Sequence, residues 1–189
     1  APLAAAAQAA GVDPDLLVAP ADRVLDEVGA LMAANPPSGL VAVCPAPELP
    51  EMASPRLRRA VVELARSAGT PLCTHLAASE PSAAAAPLAM LAGEGFLGPG
   101  LLGAHAGAVT VSGDAVCGDR SGGASDVALL AAHGVRIAHC PTASAALASP
   151  VTPVNALRAA GVTVGLGVDN PSLNSAPDLF DEARWADRL

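Results

Sequence analysis

From residue 39 onward, short apolar runs alternate with longer segments of helical period. The strand-like runs are 39–45 (GLVAVCP), 71–77 (PLCTHLA), 100–107 (GLLGAHAG), 135–141 (VRIAHCP) and 162–169 (VTVGLGVD). Each is short, rich in branched residues and bounded by Gly, Pro or polar residues, the signature of a strand rather than a helix. The last one, set in GVTVGLGVDN, carries almost no polar residue and reads as a strand buried on both faces. Between the runs lie 54–69, 81–95, 125–134, 152–161 and 176–189, each with helical spacing. Ser54 before Pro55 opens the first of these and Gly69 closes it, while Thr152 before Pro153 reads as a second N-cap.

Strict alternation of strands and helices implies parallel strands joined by crossover helices. Residues 1–38 give a poorer pattern, helical at 2–10 and 21–35. The Gly-rich polar stretch 111–124 follows the third run directly, on the side of such folds where function collects.

Polar residues recur at the ends of these runs. His75, His105, His139 and Asp169 follow one another at intervals of 30, 34 and 30 residues. One βαβ repeat takes about 30 residues, so each group falls at the same height on successive strands. Carboxyl ends of neighbouring parallel strands converge on one mouth. Imidazole and carboxylate together suit a catalytic divalent metal, zinc above all. His139 could equally serve packing. His133, just before Gly134, fits a helix C-terminus and carries no chemistry.

Charge narrows the partners. All ten basic residues are Arg against 18 acidic ones, a net charge of −8, which offers no basic stripe to nucleic acid or to an anionic membrane surface. No stretch is long and apolar enough to span a bilayer, and the first residues lack the basic leader of a signal peptide. Cys44, Cys73, Cys117 and Cys140 form no CxxC pair and read as free thiols of a cytoplasmic protein. The H-x-E and P-C-x-x-C motifs of nucleobase deaminases are absent, as is a phosphate-binding loop.

At PLCTHLA, LLGAHAG and the continuous stretch GVRIAHCPTASAALASPVTPVNALRAAGVTVGLGVDN, with the tail DLFDEAR, the sequence resembles the amidohydrolase superfamily, in its deaminase and chlorohydrolase branch. The resemblance implies an α/β fold of the (β/α)8 TIM-barrel type, incomplete here, with about strands four to eight and their helices. Residues 1–38 would form a helical N-terminal part and 39–189 the C-terminal part of the barrel. It also implies a hydrolase that cleaves a non-peptide carbon–nitrogen bond, or a carbon–chlorine bond, of a small N-heterocyclic substrate. By the same resemblance His75 is a metal ligand and His105 contacts substrate. Asp169 binds metal and takes the proton of the attacking water. The cofactor would be zinc, with iron as the alternative.

The departures are specific. The family's strand-one His-x-His pair is absent, and the glutamate usual three residues after the strand-five histidine is Ala78. Glu80 is the nearest replacement, with His139 as a secondary candidate. A degenerate, non-catalytic barrel with a binding or structural role is the competing reading. A partial barrel would also expose strand edges that favour self-association into a homo-oligomer.

Overall fold

A computed structural model describes residues 8–11, 13, 19–78, 87–111, 125–173 and 177–189. Two compact units are present, 1–43 and 44–189. In the first, helix α1 (Ala21–Ala34) ends at Asn35, whose side-chain amide donates to the Leu31 carbonyl at 2.9 Å.

The second unit holds the sheet. Its elements are a 3₁₀ turn at Pro50–Met52, α2 (Pro55–Ala68), β1 (Leu72–Leu76), α3 (Pro87–Gly93), β2 (Leu101–His105) and α4 (Asp126–Ala132). They continue with β3 (Arg136–His139), α5 (Pro141–Ala146), α6 (Val154–Ala159), β4 (Thr163–Leu166) and α7 (Leu179–Ala186). The strands lie in sequence order β1-β2-β3-β4, all parallel. That order, with a helical crossover between each pair, is part of a (β/α)8 barrel.

Local chemistry explains the main elements. The Ser54 hydroxyl accepts from the Leu57 amide at 3.2 Å, Pro55 starts α2, and Gly69 ends it at φ 65°, where a side chain would be strained. Ser125 caps α4 in the same way, and His133 is its C-cap. Leu76, Leu91, Leu101, Leu130, Ile137 and Leu157 fill the core between sheet and helices. Gly103 is needed there, because a Cβ on it would lie 2.8 Å from the Leu76 side chain. Arg58, 4 % exposed, ties three elements together. It donates to both carboxylate oxygens of Glu94 at 2.6 Å, to the Pro50 carbonyl at 3.1 Å and to the Ala53 carbonyl. This hydrogen-bonded pairing lowers the Glu94 carboxyl from its ordinary value and raises the Arg58 guanidinium.

Three expectations need correcting. Residues 39–45 form no strand: Pro45 and Pro47 lack the amide protons a ladder needs, and Leu40 and Val41 are exposed. The carbonyls of Pro45 and Glu48 nevertheless accept from the Cys73 and His75 amides of β1 at 3.1 and 3.2 Å. β4 is not buried on both faces either, since Thr163, Gly165 and Leu166 are exposed. Thr152 does not cap α6; Pro153 occupies the N-cap position, and the Thr152 side chain is engaged elsewhere. A further helix, α5, follows β3 directly, in a stretch whose apolar pattern does not predict one.

The thiols of Cys44 and Cys73 are free, half-buried and 3.5 Å apart, and Cys140 is buried. Burial pushes the Cys73 and Cys140 thiols up to about 11. Cys117, Glu80 and the stretches 81–86 and 112–124 lie outside the described residues.

Candidate active site at the strand ends

The register brings His75, His105 and His139 to similar heights but not to one face, and Asp169 lies three residues past Leu166, the partner of His139. The register pairs His75 with Ala104, Ala104 with Ala138 and Ala138 with Gly165. It pairs Leu76 with His105 and His139 with Leu166. Side chains alternate across a sheet, so His75 belongs to one face while His105 and His139 belong to the other.

The backbone overrides this alternation at the end of β2. His105 has φ 74° and Ala106 φ 54°, both in the left-handed region. A non-glycine residue there costs about 1–2 kcal/mol. The turn swings the His105 ring over to His75, and the two imidazoles stack with centroids 5.2 Å apart and planes 27° apart. Asp169, three residues beyond β4, is also left-handed, with φ 60°. Its Oδ2 lies 3.8 Å from His105 Nε2. His105 thus stands between His75 and Asp169 and contacts both.

Asp169 is not the residue that builds the following turn. Asn170 does that: its side-chain oxygen accepts from the Ser172 amide and its carbonyl from the Leu173 amide, both at 2.9 Å. The aspartate side chain, 20 % exposed, is left for the strand-end cluster. Unusual backbone conformations at non-glycine residues collect at functional sites, and here they mark two of the three members.

Burial is the main influence on the His105 imidazole and holds it below the ordinary histidine value; the Asp169 carboxylate opposes this and the His75 ring adds to it. The ring is therefore neutral near pH 7, able to donate from one nitrogen and accept at the other. At 3.8 Å its contact with Asp169 is too long for a hydrogen bond.

His139 sits apart from this row. It is 2 % exposed, with Nδ1 2.8 Å from the Thr152 hydroxyl. Burial lowers its imidazole too, opposed by Glu182 and assisted by His105. Glu182, wholly buried on α7, was not singled out from sequence. Its carboxylate accepts from the Thr142 amide at 3.1 Å and from the Thr142 hydroxyl, at the first turn of α5. An acid in an amphipathic helix gives no local signal of such a role; only its partner, 40 residues away, reveals it.

His75 and Asp169 supply one imidazole and one carboxylate, donors of the right type for zinc or iron. Among the described residues no group of three His, Cys, Asp or Glu side chains is placed to hold a metal ion. A catalytic zinc takes three protein ligands, and the described residues do not supply that set. A cavity of about 770 Å³ beside β4 and α6 is lined by His139, Thr152 and Arg158, but by none of His75, His105 or Asp169. No described helix is long and apolar enough to cross a membrane.

Known proteins resemble this chain in sequence and in fold. Hydroxydechloroatrazine ethylaminohydrolase of Pseudomonas sp. (strain ADP) is 34 % identical over 155 residues, covering 79 % of this chain and 30 % of that protein. A 5-methylthioadenosine/S-adenosylhomocysteine deaminase of Moorella thermoacetica is 32 % identical over 147 residues, 74 % of this chain and 31 % of that one. The crystal structure of an adenosine deaminase from Xanthomonas campestris with bound zinc superposes with a TM-score of 0.75 at 26 % identity, covering 87 % of this chain and 36 % of that one. The chain spans about a third of the length of the curated relatives it matches. The profile of the amidohydrolase family matches residues 21–187, and this chain belongs to that family.

Proposed function

We propose that this chain is the C-terminal segment of a metal-dependent hydrolase barrel that cleaves a non-peptide carbon–nitrogen bond, by deamination or the related dechlorination of a small N-heterocycle. The observation that carries the reading is the row His75–His105–Asp169 at the carboxyl ends of three parallel strands. The activities of the relatives, an ethylaminohydrolase and a deaminase, support the same bond type.

In this reading His75 and Asp169 hold a divalent metal, zinc before iron, with the remaining ligands coming from a strand-one His-x-His outside this chain. When bound, such an ion lowers the pKa of a coordinated water to about 7. Asp169 accepts the proton of the attacking water. His105, neutral and half turned from its strand, offers an N–H to the ring nitrogen or exocyclic group of the substrate. After β1, Ala78 stands where the family carries a glutamate. A second proton carrier, Glu80 among the candidates, would serve the leaving group.

The test is ammonium or chloride release from a panel of amino- and chloro-substituted purines, pyrimidines and triazines, using a complete barrel that contains this chain. Zinc-dependent release from at least one member is expected. Absence of turnover across the panel, with the metal bound, would favour the degenerate barrel.

A further inference from the structure

The β2–β3 register ends at the pair Ala104–Ala138, one residue before His105. The carbonyl of His105 then takes a side-chain donor: the Thr152 hydroxyl, 2.5 Å away. Thr152 lies in the strap that precedes α6, 47 residues further along the chain. The strap passes directly over the β2 end, since a Cβ on Gly107 would sit 1.9 Å from the Pro150 carbonyl oxygen.

Proton bookkeeping fixes the direction of the chain of bonds. A threonine hydroxyl has one proton, and a carbonyl can only accept. The Thr152 proton therefore goes to the His105 carbonyl, and the contact of 2.8 Å with His139 Nδ1 must be donated by the imidazole. Burial keeps His139 neutral near pH 7, which leaves it one N–H, on Nδ1. Both residues are buried, at 2 % exposure for His139 and 3 % for Thr152.

We propose that His139 and Thr152 are positioning residues: the relay His139 Nδ1–H to Thr152 Oγ1–H to the His105 carbonyl locks the left-handed turn that carries His105 onto the face of His75. The functional weight of this lock rests on the reading of His105 as a substrate contact; the lock itself does not. It gives a role to a strand-end histidine that lies on the wrong face for the mouth. It also explains why a buried threonine stands beside a helix it does not cap.

The experiment is NMR of a complete barrel that contains this chain, labelled at histidine and at backbone amides, with neither metal nor substrate added. In the unaltered protein His139 should carry its proton on Nδ1 and none on Nε2; the opposite tautomer overturns the proposal. Thr152→Val should displace the His105 ring resonances and accelerate exchange of the Ala106 amide about tenfold, the effect of losing one buried hydrogen bond. Thr152→Ser should restore both. His139→Asn keeps an N–H near the Nδ1 position and should follow the unaltered protein, whereas His139→Gln should follow Thr152→Val. That second pair decides the matter if Thr152→Val does not fold. Unchanged His105 resonances and Ala106 exchange in Thr152→Val or His139→Gln would overturn the proposal. Because the measurement needs no turnover, its result is independent of the hydrolytic reading.

Discussion

His75 and His105 stack at 5.2 Å although the sheet register assigns them to opposite faces. The left-handed backbone at His105 reconciles the two facts, and it brings the second imidazole within 3.8 Å of Asp169. The strand-end cluster is thus a product of local backbone geometry as much as of topology.

If Asp169 is the base, Asp169→Asn removes a proton acceptor while keeping the shape of the side chain. In a complete barrel this substitution should lower kcat/KM about 10²–10⁴-fold and leave the unfolding midpoint of the metal-free protein unchanged. Turnover within a factor of a few of the unaltered enzyme would reduce Asp169 to a loop residue.

Gly107→Ala places a methyl group against the Pro150 backbone, which cannot yield as a side-chain tip would. The expected cost is about 1–3 kcal/mol, read as a lower urea midpoint at unchanged slope. An unchanged midpoint would mean that the strap is free to move away from the β2 end.

Glu182→Ala leaves the Thr142 amide without its buried carboxylate acceptor. Such a loss costs about 2–4 kcal/mol. Glu182→Gln keeps an acceptor oxygen and should cost less. Equal losses for the two variants in urea titrations would show that charge, not hydrogen bonding, is what matters there.

Like His105, His139 makes stability depend on pH. Its folded-state value is lowered, chiefly by burial, so the unfolded chain takes up the proton first as the pH falls. Stability from this group is complete above the ordinary histidine value of about 6.5 and is lost progressively below it, down to the folded value. Urea midpoints should therefore drop between pH 7.5 and 5.5, and His139→Asn should flatten that slope. A slope equal to that of the unaltered protein would assign the effect to other groups.

Much of this was legible in the residues. The period of the branched apolar runs marks β1 to β4, and Ser54, Pro55 and Gly69 bracket α2 because each acts on its own turn of backbone. The heights of His75, His105 and His139 along the strands were legible for the same reason, whereas Asp169 lies three residues past the level of His139. Faces were not: nothing in GAHAG announces that His105 and Ala106 adopt positive φ, a choice made by the strap that anchors the His105 carbonyl. Thr152 before Pro153 carries the local pattern of a cap, yet a buried carbonyl and a buried imidazole claim its hydroxyl. The strand at 39–45 failed on a signal that was present, since Pro45 and Pro47 forbid a full ladder. β4 reads as buried from its composition, but no described strand pairs with its other edge.

The central claim is that His75 and Asp169 grip one divalent ion. The most direct measurement is zinc content per chain, by elemental analysis after dialysis, in a complete barrel and in its His75→Ala and Asp169→Asn variants. One tightly held zinc in the unaltered protein, lost or greatly weakened in both variants, is the expected result. Full zinc occupancy that survives either substitution would contradict the claim.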